Sequence, residues 1–253
     1  MELWTSEHVK ALIPGIAIMI AIAVVLRLTL GKKSRQIRMI PIQILACLLV
    51  VIEIGKQTVS LLNGYDLYCL PFHYCSLFIF AVPLMAFYRG KHEKIVCGVT
   101  TALCSALFLI MLVYPNLIYG PWNVIGYFSD YMSFHTVTFH HAVMLVFLLI
   151  IALDLHTPGQ KGETNAILLT MVGFSIVAAT MAQLLKTNFA NFYSCNIPVF
   201  ETVRTYLQPI IGSVLTQLIY MLAVAALQTL FTLMTYYLYV LISKLTQKTK
   251  QEA

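Results

Sequence analysis

Residues 11–30 read ALIPGIAIMIAIAVVLRLTL, and GKKSRQIR follows directly as residues 31–38. A helix of that length rises about 30 Å, the thickness of the hydrocarbon core of a bilayer. Arg27 is the only charge within the run. The basic cluster of Lys32, Lys33, Arg35 and Arg38 behind it is the mark of a cytoplasmic membrane boundary. Together the two features read as a membrane-crossing helix that ends in the cytoplasm.

The pattern repeats outward from that stretch. Further apolar runs occupy residues 41–62, 71–88, 95–113, 134–153, 166–185 and 209–241. The run at 71–88 is short, and the last is long enough to tilt or to overrun the membrane. Basic residues recur after alternate runs: Arg89, Lys91 and Lys94, then Lys161, then Lys244, Lys248 and Lys250. The intervening loops at 63–70, 114–133 and 186–208 hold only Lys186 and Arg204. This alternation requires an odd number of spans, with the N-terminus outside and the C-terminus in the cytoplasm. The expected fold is all-α, a bundle of about seven transmembrane helices forming one integral membrane domain over residues 1–253.

Composition agrees. Of 253 residues, 60% are hydrophobic and 10% charged, against about 25% charged in an ordinary soluble domain. The net charge of +6 sits in short clusters between apolar runs, so it reads as a topology signal and not as a nucleic-acid surface. No GxxxxGK[ST] loop, HExxH or CxxC is present, and no cofactor or metal is expected. Glu2 and Glu7 precede the first apolar run, where a signal peptide would carry basic residues, so the first helix is expected to stay in the mature protein. The chain has no evident internal repeat, which weighs slightly against transporter folds built on inverted repeats.

The chemistry-bearing residues gather in a few places. Leu70-Pro71-Phe72-His73-Tyr74-Cys75 opens the third run. Proline suits the first position of a helix, which puts Cys75 just past the first turn, where the helix dipole favours a thiolate. A buried cysteine packing as a small apolar group fits the same position. Residues 134–141, FHTVTFHH, open the fifth run with His135, His140 and His141. Imidazoles in a span face polar interiors, either as functional groups or as hydrogen-bond partners of neighbouring helices. Glu53, Lys56 and Gln57 share one face of the second run, as a structural ion pair or as a pocket wall. Outer aromatic residues such as Tyr119, Trp122, Tyr127 and Tyr131 suit interfacial anchoring or a lid. The strong intramembrane polar groups are all expected in the outer half, leaving mainly apolar side chains plus Cys47 and Cys97 in the inner half. Cys69 and Cys195, both in outer segments, form a candidate disulfide.

The Leu70-Pro71-x-His73-x-Cys75 segment and the Phe134 to His140 spacing resemble the bacterial YwaF-like integral membrane proteins, a family overlapping the eukaryotic transmembrane protein 164 family. Residues 187–193, TNFANFY, look like that family's Asn-aromatic segment. The resemblance implies a phospholipid acyltransferase, or a lipid hydrolase, with Cys75 as nucleophile and His140 as base. His141 directly follows His140 where the family pattern suggests a small residue, so the histidine role could fall on either. His73, Glu53, Lys56, Asn191 and His141 are the expected substrate-binding residues. The expected partners are phospholipids and lysophospholipids in a bacterial plasma membrane. The competing readings are a small-solute or ion-coupled transporter using Glu53 and Lys56, a metal site built from His73, Cys75, His135 and His140, and a structural partner protein.

Overall fold

The computed structural model describes residues 2–195 and 198–252. The side chains of Lys248 and Lys250, expected in a cytoplasmic tail, lie outside the described residues. Helix α1 spans Ser6–Leu30 and starts at a capping box. The Thr5 N–H donates to His8 Nδ1 at 3.1 Å, which forces the ring proton onto Nε2. His8 Nε2 then donates to the Tyr119 carbonyl at 2.9 Å, tying the N-terminus to the loop after the fourth run. The helices α2 (Arg35–Leu62), α3 (Phe78–Phe87), α4 (Glu93–Val113) and the short α5 (Pro121–Ile125) follow. Then come α6 (Tyr131–Ala152), α7 (Glu163–Leu185), α8 (Pro198–Ile211) and α9 (Ser213–Glu252). No strand occurs among the described residues.

Helices α1, α2, α4, α6, α7 and α9 are long and apolar enough to cross a membrane, and Tyr74–Phe87 is a shorter apolar stretch. The loops sort to two ends. At one end Arg35 pairs with Glu93, Arg38 donates to the Leu153 carbonyl, and Arg27 pairs with Asp154. At the other end Trp4 donates to the Leu112 carbonyl at 3.1 Å, and the Tyr131 hydroxyl to the Ile52 carbonyl, also at 3.1 Å. We call these the basic and aromatic ends. The α1–α2, α3–α4 and α6–α7 loops all meet at the basic end, so α3, though short, returns the chain across the bundle.

Two helix starts differ from the sequence reading. Pro71 does not open the third helix. Leu70, ahead of it, is pushed out of the α region (ψ 145°), the Phe72 amide bonds the Leu70 carbonyl at 2.8 Å across a tight turn at Pro71, and after an extended His73 (ψ 156°) a 3-10 turn at Tyr74–Leu77 leads into α3. Cys75 therefore sits inside the first turn and not past it. The last long helix begins at Ser213, because Gly212 takes φ +85° and separates it from α8, to which Pro209 belongs. The descent before α3 is deep. Gln57 Nε2 donates to the Cys69 carbonyl at 2.7 Å, so Cys69 lies beside a residue well below the end of α2.

Helix α4 sits centrally, packed on α3, α6, α7 and α9, while α2 packs on both α3 and α6. Leu103, Leu107, Val143 and Met144 are fully buried in that centre. Leu28, Leu169, Leu222 and Leu230 are largely exposed, as lipid-facing side chains are. Where α2 faces α6, Gly55 leaves room for the Tyr131 hydroxyl, which an added Cβ would meet at 1.9 Å. Gly55→Ala is therefore expected to turn the Tyr131 ring aside and break its bond to the Ile52 carbonyl, costing about 1 kcal/mol. Thermal unfolding in detergent checks this: a variant as stable as the parent would show that the bond adds nothing to stability.

Candidate functional site

Glu53 is buried on α2 and gathers the polar groups around it. Its Oε1 accepts from Lys56 Nζ at 2.7 Å and from Gln57 Nε2 at 2.8 Å, and its Oε2 meets His135 Nε2 at 3.0 Å. Gln57 continues outward, accepting from the Tyr65 hydroxyl at 2.8 Å. The one-face spacing of Glu53, Lys56 and Gln57 thus becomes a hydrogen-bonded cluster. His135 bonds to a neighbouring helix, and stacks on Phe139 with ring centroids 5.3 Å apart.

His73 caps the Cys75 turn. Its Nε2 donates to the Tyr68 carbonyl at 3.0 Å, and its ring packs between Tyr68 and Phe189 at 4.3 and 5.4 Å. Cys75 is half-buried, and its thiol lies against its own N–H and that of Ser76.

His140 is buried on α6, and its Nδ1 donates to the Thr136 carbonyl at 2.6 Å. A carbonyl can only accept, so Nε2 carries the free lone pair. His141 makes the same bond to Val137 at 2.8 Å, but its Nε2 edge rests against α1 at Gly15, where an added Cβ would meet it at 2.8 Å. No hydrogen bond joins Cys75 to His140 among the described residues.

Asn191 stands apart from this cluster. The turn that holds it takes positive φ at Ala190 and Asn191. Its carbonyls are taken by Gln228 at Ala190, by Tyr220 at Asn191, and by Gln183 and Gln217 at Phe192. The Asn-aromatic segment is a rigid turn that presses Phe189 on Phe72 and His73. Phe189 is the residue the sequence reading missed; its place in an aromatic-rich motif was the available signal. The expected Cys69–Cys195 disulfide is absent: Cys69 is a free thiol buried behind Gln57, and Cys195 interacts with the Tyr220 hydroxyl. No group of three or more metal-ligating side chains occurs among the described residues.

Toward the basic end, where mainly apolar side chains plus Cys47 and Cys97 were expected inside the bundle, a buried polar cluster also occurs. Glu163 is buried, and its Oε2 accepts from the Gly159 and Gln160 amides at 2.9 and 3.0 Å and from the Tyr236 hydroxyl. His156 lies 3.6 Å from its other oxygen. Burial, then the nearby Arg35 charge, holds the His156 pKa down to about 4, so its ring is neutral at pH 7. Gly98 admits the Glu163 carboxylate, which would lie 2.8 Å from an added Cβ. This cluster was illegible because its members come from the α6–α7 loop, α7 and α9.

Comparison with curated proteins and with solved structures gives no match. Residues 3–242, nearly the whole chain, match the TMEM164 family. A polytopic membrane bundle bearing the Leu70-Pro71-x-His73-x-Cys75 segment ahead of α3 and His140 on α6 thus belongs to the TMEM164 family.

Proposed function

We propose that this protein is a membrane-embedded acyltransferase that moves phospholipid acyl chains through a thioester on Cys75, with His140 as base. The site lies at the aromatic end, which the distribution of Lys and Arg makes the outer side of the membrane. The observation that carries the reading is the pairing of roles: a thiol in a first helical turn, and a histidine whose Nδ1–H is fixed on a carbonyl so that Nε2 keeps a free lone pair. In the first half-reaction His140 Nε2 takes the Cys75 proton and the thiolate attacks the ester carbonyl. The carbon–oxygen bond breaks, and the departing lysophospholipid oxygen takes the proton from His140. In the second, an acceptor hydroxyl attacks the thioester, its proton passes to His140, and the carbon–sulfur bond breaks. The proton then returns to the cysteine. The Cys75 amide is the first-turn donor left to serve the oxyanion, since the Ser76 amide is taken by the His73 carbonyl at 3.0 Å. Catalytic hydrogen bonds often tighten only in the substrate complex, so the Cys75–His140 contact is expected to form on lipid binding.

One observation favours the transporter alternative. The Tyr74 hydroxyl bonds Thr232 at 3.1 Å and Ser105 donates to Thr235 at 3.1 Å, so hydroxyls reach from the Cys75 turn toward the Glu163 cluster. Against it, Thr232 and Thr235 donate to carbonyls of their own helix at 2.8 and 3.0 Å, which satisfies them structurally. Proteoliposomes holding a labelled-acyl phospholipid and an unlabelled lysophospholipid separate the two readings. The expected result is label appearing in the acceptor lipid without solute flux. Proton-coupled solute flux with no change in the lipids would replace the enzyme reading with the transporter.

A further inference from the structure

Helix α8, Pro198–Ile211, takes no part in the candidate site, and its sides differ in kind. Val199, Val203, Tyr206 and Ile210 recur at helical spacing and are 51–71% exposed. Thr202, Thr205 and Gln208 form an exposed polar face. On a third side Arg204 pairs with Glu201, donates to Gln217 at 2.9 Å and lies 5.6 Å over the Tyr220 ring, docking α8 to α9. The helix has 14 residues, about 21 Å at 1.5 Å per residue, which is too short to cross a hydrocarbon core. An open groove of about 820 Å³ runs along it, lined by Glu201, Thr202, Thr205, Tyr206, Pro209 and Ile210.

What covers the apolar stripe follows from its continuity. Beyond Gly212 the exposed apolar surface carries on through Val214, Leu218 and Leu222 of α9, a membrane-crossing helix that meets lipid. A short helix with an apolar side, a polar side and an elbow into a span fits the plane of the membrane surface. We propose that α8 lies in the membrane interface, its Val199, Val203, Tyr206 and Ile210 stripe seated in phospholipid at the acyl-chain boundary. Glu201 and Arg204 are the only charged residues of the helix and neutralise each other, so the seating is driven by apolar area and needs no anionic lipid.

The wild-type chain in vesicles of pure phosphatidylcholine, carrying a diazirine near the upper acyl carbons, tests this without mutation. Photolysis and peptide mapping are expected to place label on Val199, Val203, Tyr206 and Ile210, and on Leu218 and Leu222 of α9 as the internal standard. Thr202 and Thr205 are expected to stay unlabelled. Label on α9 with none on α8 would overturn the proposal, whether α8 proves to face water or to cross-link to a second copy of the chain. Label on α8 that appears only after anionic lipid is added would equally overturn the apolar seating. Neither outcome touches the acyl-transfer reading.

Discussion

His140→Ala is expected to slow acyl transfer by about 10²–10⁴-fold, the usual contribution of a positioned general base. His141→Ala is expected to leave the rate near that of the parent. The contrast rests on geometry. Both imidazoles donate Nδ1–H to the carbonyl four residues back, so both have a free lone pair on Nε2. They differ in where that nitrogen lies. His141 rests against Gly15 of α1, whereas His140 keeps the spacing from Phe134 and lies with its ring centroid 6.2 Å from that of Tyr119. Formation of lysophospholipid from a labelled donor measures the rate. A slow His141→Ala with a normal His140→Ala would move the base one residue along the helix.

Removing Glu53 alone is expected to cost about 3–5 kcal/mol of stability, because Lys56 and His135 would lose the carboxylate they share inside the bundle. Replacing Glu53 and Lys56 together by methionine should recover much of that loss, since no unpaired charge remains. Thermal or denaturant unfolding in detergent of Glu53→Met, Lys56→Met and the double variant makes the comparison. A silent Glu53→Met would mean that the carboxylate is solvated and that Glu53 does not organise the cluster. Activity lost in the double variant while its stability returns would locate the pair in lipid recognition as well as in folding.

The long helices were legible because lipid imposes length and apolarity on each one, and the loop charges gave their parity. The short third crossing was legible only through that parity. Its start was misplaced because Pro71 suits a helix N-terminus and equally well a tight turn ahead of one, and the next residues settle which occurs. The α8–α9 break was hidden because apolar residues continue through it and a lone Gly212 gives the only sign. At the candidate site, the Glu53, Lys56 and Gln57 face followed from spacing within one helix. The bond from Glu53 to His135 did not, since it joins residues 82 positions apart. Nor did the Glu163–His156 cluster, whose Tyr236 partner lies 73 positions away. Spacing in sequence reports neighbours on a helix and is silent about neighbours between helices. Asn191 illustrates the converse: its motif was visible, and the structure gives the segment a turn-forming role.

The central claim is that Cys75 carries the acyl group. Purified full-length protein incubated with phospholipid, then digested and analysed by intact-peptide mass spectrometry, tests it most directly. The expected result is an acyl mass on the Cys75 peptide that hydroxylamine removes and that Cys75→Ala abolishes. It should discharge faster on addition of lysophospholipid than in water. Full lipid-remodelling activity in Cys75→Ala, with no acyl group on any cysteine, would contradict it.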